Sequence, residues 1–109
     1  MRNLVLLVSV AAAIAATGPA QALQYITGHV TQLEPSYMPN KITLQMDAGN
    51  AACPAGKWLV WTTGVNASPN TQDVYGTMLA ALLSSKPVDF VINDNDASCN
   101  GQFFHIKAR

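Results

Sequence analysis

The chain has 109 residues, half of them hydrophobic, with six Lys and Arg against six Asp and Glu. That length bounds it to one domain. A formal charge of zero leaves no basic patch to neutralise a series of phosphates, which excludes nucleic acid as a partner.

The first element in chain order is a leader. Arg2 supplies a positive start, and Leu4 to Ala16 is an apolar run. Gly18 and Pro19 break that run, and Ala20-Gln21-Ala22 offers the small-x-small pattern of a signal-peptidase site. The run falls short of the roughly 20 apolar residues that span a bilayer. Residues 1–22 therefore read as a signal peptide and 23–109 as a single domain with one disulfide, secreted or periplasmic. The mature part carries five basic and six acidic residues, a formal charge of −1. No polybasic or amphipathic anchor points to membrane insertion after cleavage.

Residues 25–33 are rich in β-branched and aromatic side chains and predict a strand. Residues 34–40, with Pro35 and Pro39, predict a loop. Residues 41–47 alternate, with Ile42, Leu44 and Met46 on one side and Lys41, Thr43, Gln45 and Asp47 on the other, as in a strand with one wet face. Residues 57–62 predict a third strand, apolar on both faces and hence central or covered by a helix.

Ser68-Pro69 predicts a helix start, with Asn70 as a second candidate. Val74, Tyr75, Met78, Leu79, Leu82 and Leu83 recur at helical spacing through Ser84, so that Met78, Leu79 and Leu82 should be buried. Lys86 suits the negative end of that helix, and Pro87 stops it. Residues 88–92 predict a fourth strand with Val88, Phe90 and Ile92 inward. A polar loop follows at 93–98, a tight turn at Asn100-Gly101, and a fifth strand at 102–107.

The order β-β-β-α-β-β predicts an α+β, mostly β fold: a five-stranded OB-like barrel with one helix between strands 3 and 4. Cys53 and Cys99 are the only cysteines. In an exported chain an even count predicts a bridge, and these two should have Cα atoms within about 7 Å. Closing so long a loop contributes about 4 kcal/mol in the chain-entropy model, a large share of a small domain's stability.

Cys53 ahead of a tryptophan strand, the helix with Tyr75, Leu79 and Leu82, the strand Pro87-Val88-x-Phe90, and Cys99 ahead of the last strand resemble a known family. Across roughly 24–107 this pattern looks like the OB-fold B subunits of AB5-type bacterial toxins, in the pertussis-like and subtilase-cytotoxin-like group. The stretch from Cys53 to Trp61 also resembles a signature of small uncharacterised exported bacterial proteins. The resemblance implies a glycan-binding module, a homo-oligomer and, if toxin-like, a pentamer. No sugar-contacting residue carries over position by position.

Candidate ligand residues follow from side-chain chemistry. Asn93, Asp94 and Asn95 can hydrogen-bond adjacent hydroxyls. The EF-hand pattern fails there, because the sixth position from Asp94 is Cys99 and the twelfth is His105. Tyr37 sits in a proline-bounded loop, a region where OB-folds contact ligands. Trp58 and Trp61 are three apart on a strand and point to opposite faces. One fills the core, and the other, taken as Trp61, can stack on a sugar or anchor a protein.

His29 and His105 lack metal-ligand spacing and read as ordinary strand histidines. No metal or other cofactor is implied. No nucleophile elbow, paired carboxylates or phosphate loop is visible, so the chain does not read as an enzyme. Asn66-Ala67-Ser68 fits a glycosylation sequon, discounted behind a bacterial-type leader. The function expected is an exported binding module whose ligand is a glycan or, alternatively, a protein that it binds or inhibits.

Overall fold

The structure is a computed structural model, and it describes residues 22–62 and 70–109. The leader through Gln21, the sequon and the Ser68-Pro69 helix start lie outside the described residues.

The chain runs β1 (Leu23–Gly28), β2 (Val30–Glu34), β3 (Lys41–Met46), β4 (Leu59–Thr62), α1 (Thr71–Ser84), β5 (Val88–Asn93) and β6 (Gly101–Ile106). The strands form two antiparallel three-stranded sheets, β1-β5-β6 and β2-β3-β4. This overturns the expected five-stranded OB-like barrel, and with it the resemblance to toxin B subunits: the described residues form six strands in two separate sheets and close no barrel.

Two local features keep the sheets apart. The expected first strand is interrupted at His29, whose N–H donates to the Asp47 carboxylate at 2.7 Å instead of continuing a ladder. The chain pairs with β5 before that point and with β3 after it, with an irregularity between Val30 and Gln32. Gly28 is needed here, because a Cβ would lie 2.5 Å from Asp47 Oδ1 and 2.7 Å from Ala48 Cβ. On the other side, β4 and β6 meet at one parallel bridge, Val60–Asn100, with Val60 N–H donating to Cys99 O at 3.0 Å. The third predicted strand therefore stands at a sheet edge and not at a centre.

The core lies between the sheets. In β1-β5-β6, Ile26, Phe90 and Phe104 share one row; in β2-β3-β4, Leu33, Leu44 and Leu59 share another, and Ile42 faces Trp61. Gly101 lets Trp61 and Phe90 converge: a Cβ there would lie 2.6 Å from Trp61 Cε3 and 2.7 Å from Phe90 Cζ. Cys53 and Cys99 are bonded with Cα atoms 6.0 Å apart, as expected. Because Cys53 precedes β4 and Cys99 precedes β6, the bridge ties one sheet to the other.

Helix α1 packs against β2, β3 and β6. Met78 is buried as expected, but its companions are Ala81 and Thr71. Leu82 is partly buried against the core, and Leu79 is only half-buried. The small Ala81 side chain lets the helix approach closely, which moves the buried stripe by part of a turn from the most apolar one. Ser85 takes a left-handed conformation at the C-terminus, where the last carbonyls need donors, and Pro87 follows. Lys86 caps α1 through its backbone, its N–H donating to Ala81 O at 3.3 Å, while its ammonium turns away and donates to Ala108 O at 3.2 Å. The expected Asn100-Gly101 turn is also displaced. The reversal occupies 93–99, with positive φ at Asn95 and Cys99, and Gly101 already begins β6.

Candidate functional site

The side of β6 that faces β5 is paired with it. Past the Val60–Asn100 bridge, no strand among the described residues pairs with the side of β6 that faces away from β5. The first turn of α1 stands opposite. Between them runs an open groove of about 350 Å³ lined by Trp61, Asn70, Val74, Gln102, Phe103, Phe104 and His105. Trp61 forms its floor and is 3% exposed. The indole N–H donates to Asn70 Oδ1 at 3.3 Å, which fixes the ring and uses the Asn70 oxygen that would otherwise cap the helix. The walls are aromatic and aliphatic, with the Gln102 amide and the His105 imidazole as polar groups. The volume falls within the range of small-ligand pockets.

The outward face of β1-β5-β6 continues from this groove. Tyr25, Val91 and Phe103 are in register across the three strands, as are Thr27, Asp89 and His105. Val91 is fully buried between the half-exposed rings of Tyr25 and Phe103. The His105 ring lies 6.4 Å from Phe103, nearly stacked, and 6.3 Å from Tyr25.

Asp89 is buried on this outer face. Thr27 donates a hydrogen bond to it at 2.8 Å, Lys107 Nζ lies at 3.1 Å and His105 Nδ1 at 3.6 Å. Burial pushes its carboxyl up, but the Thr27 and Lys107 hydrogen bonds, the Lys107 charge and His105 outweigh that, so it titrates below the ordinary value. The Thr27 hydroxyl donates to Asp89 and not to His105. That arrangement satisfies a buried charge and is not the order of a nucleophile, base and orienter.

A second histidine–aspartate pair, His29–Asp47, lies at the junction of β1 and β2 at 3.0 Å and is half exposed on both sides. The His29 backbone N–H holds the Asp47 carboxyl below its usual range. Among the described residues, no group of three or more His, Cys, Asp or Glu is placed to hold a metal ion.

The residues picked out in the sequence fall in three places. Trp61 is the groove floor. Trp58 is the partly exposed tryptophan, so the two indoles do face different environments, with Trp61 the buried one. Tyr37 is half exposed in the β2–β3 loop, and Lys41 Nζ already lies 5.0 Å over its ring.

Asn93, Asp94 and Asn95 lie at the other end of the β1–β2 run, where Asn93 pairs with Leu23. Their backbone is used structurally: Asp94 N–H donates to Ala22 O at 2.9 Å and Asn95 N–H to Gln24 Oε1 at 3.1 Å. Next to them Asp96 accepts from the Ser98 hydroxyl, Ser98 N–H and Asn100 N–H. These bonds, the Ser98 hydroxyl foremost, hold its carboxyl below the ordinary value. The turn is thus a self-satisfied reversal beside the disulfide. The groove residues Asn70, Val74, Gln102, Phe103 and Phe104 were not singled out from the sequence. The available signal was Phe103-x-His105-x-Lys107, an alternation that puts two rings and a cation on one face of the last strand.

No family model, no curated protein and no solved structure matches this chain.

Proposed function

We propose that this is an exported binding domain without chemistry of its own, and that it holds an extended segment of another protein along the edge of β6 that faces away from β5. The observation that carries this is the groove between that edge and the first turn of α1. An unpaired edge offers a row of backbone donors and acceptors to an added strand. A groove beside it takes that strand's side chains, the division of labour in β-augmentation.

Residues 102–105 run about 10 Å along the groove at the usual strand rise, the reach of three or four peptide residues. Of the residues first expected to contact a ligand, Trp61 lines the groove, while Tyr37 and Asn93–Asn95 lie away from it, at opposite ends of the β1–β2 run. The leader pattern of residues 1–22 and the Cys53–Cys99 bridge support an oxidising address.

The test is selection from a displayed library of random eight-residue peptides on the purified protein, followed by amide hydrogen exchange with the best binder. Slowed exchange confined to Gln102–Ile106 and the first turn of α1 is the expected result. Binders that protect only β2 or the 93–99 turn, or no enrichment at all, would overturn it.

A further inference from the structure

We infer that the Ala22–Leu23 bond is a processing site that lies open to a peptidase only until β1 docks on β5; this rests on the reading of residues 1–22 as an export leader. Ala20-Gln21-Ala22 supplies the small-x-small pattern ahead of that bond. β1 begins at Leu23, so no spacer separates the bond from the folded sheet.

Cleavage is a hydrolysis. Water is added, the amide C–N bond between Ala22 and Leu23 breaks, and the products are an Ala22 carboxylate on the leader and an α-ammonium on Leu23. A peptidase attacks the carbonyl carbon and holds the carbonyl oxygen with its own hydrogen-bond donors while charge develops there. In the folded chain that oxygen is taken, because Ala22 O accepts from Asp94 N–H at 2.9 Å. The leaving side is held as well. Leu23 and Gln24 are in register with Asn93 and Ile92, and Gln24 Oε1 accepts from Asn95 N–H at 3.1 Å. Ala22 and Leu23 are exposed, so pairing and not burial shields the bond.

The pairing partners arrive late. Asn95 stands 71 residues after Gln24, and Cys99, which closes the bridge to Cys53, comes later still. A chain that crosses a membrane from its N-terminus therefore presents Ala22–Leu23 unpaired until nearly the whole domain has followed. Once β1 has docked, cutting follows the small population in which the end of the strand is open. Cutting also removes the acceptor of Asp94 N–H, while Gln24 Oε1 and the bonds to Asp96 still hold the turn.

The experiment gives a bacterial signal peptidase, in mild detergent, two substrates: the folded, oxidised full-length chain, and a peptide of residues 1–34, which ends with β2 and lacks β5. Mass spectrometry identifies the cut, and product against time gives the rate. The peptide should be cut after Ala22, and the folded chain at the same bond at least about ten-fold more slowly. Amide exchange at Asp94 should be slow in the full-length chain and faster in the product that begins at Leu23. Equal cutting rates, or exchange at Asp94 that does not change on cutting, overturn the inference and leave the leader reading standing. A peptide left uncut, or cut elsewhere, overturns the leader reading itself.

Discussion

The two sheets have the same number of strands and share one core, yet they treat their outer faces differently. In β2-β3-β4 the inward residues Ile42, Leu44, Met46, Leu59 and Trp61 are buried. The outward ones, Val60 apart, are polar, and two are bonded to neighbours: Thr43 donates to Glu34 at 2.6 Å, and the Gln45 amide donates to Gly56 O at 2.8 Å. That is an ordinary half-wet antiparallel sheet. In β1-β5-β6 the central strand is buried from Val88 through Ile92 on both faces, and its outer side carries Leu23, Tyr25 and Phe103, each at least 42% exposed. One sheet spends its sequence on structure alone. The other keeps apolar surface that no described element covers, and its last strand, β6, lines the groove.

The joint between the sheets gives the largest test of this contrast. Replacing Cys53 and Cys99 together by serine should cost about 4 kcal/mol, measured by urea unfolding. Because the bridge joins the entries of β4 and β6, hydrogen exchange in the variant should rise first at the Val60–Asn100 bridge. Uniform loss across both sheets would mean that they unfold as one unit, regardless of the bridge.

Next come the two tryptophans. Trp61→Ala removes a buried ring that faces Ile42 and touches the space over Gly101, and should cost about 3 kcal/mol. Trp58→Ala removes a ring that is 39% exposed and should cost less than half of that. A reversed order would place the core of β2-β3-β4 on the wrong face.

The third test separates the two sheets by pH. Asp89 titrates below its ordinary value when folded, so its partners stabilise the native state while it is ionised. That contribution is complete above the unfolded carboxylate range, near pH 4, and is lost as the pH falls through the depressed folded value. Asp47 and Asp96 are depressed as well, so stability should fall with acid overall. Asp89→Asn should flatten the acid limb of stability against pH and lower the plateau above pH 5. Asp47→Asn, at a half-exposed pair, should change the curve less. Equal flattening by both would mean that Thr27, Lys107 and His105 hold the Asp89 carboxylate no more strongly than the His29 N–H holds that of Asp47.

These same residues show why the sequence was only partly legible. The alternation of 41–46, the apolar run at 88–92 and the helical spacing up to Ser84 are local periodicities, and the elements stand where they point. The cysteine count likewise led to the bridge. What was illegible depended on single contacts between distant residues. Nothing local marks His29 as the place where Asp47 interrupts a strand, and that interruption turns one predicted strand into two and opens the barrel. Likewise nothing local marks the single described β4–β6 bridge, Val60–Asn100, or the hydrogen bond that joins Trp61 to Asn70, nine residues on in sequence. The groove inherits this: its residues come from three elements, and only Trp61 looked unusual by itself.

The smallest expected change in stability is at Phe103. The ring is half exposed, so truncation to alanine forfeits about half of a buried phenylalanine's contribution, roughly 1 kcal/mol. Part of that is the loss of cover over Val91, which is fully buried beneath it. A residue kept only for stability would be poorly placed here, because a smaller aliphatic side chain would cover Val91 with less apolar surface left in water. Phe103→Ala should therefore leave a folded protein with an unchanged pH profile, while its affinity for a peptide selected on the protein falls at least about ten-fold, because the ring lines the groove. Phe103→Leu, which keeps Val91 covered, should restore stability without restoring full affinity. If Phe103→Ala binds the peptide as the parent does, the ring is only a lid on Val91, and the difference between the two sheets is one of packing and not of function.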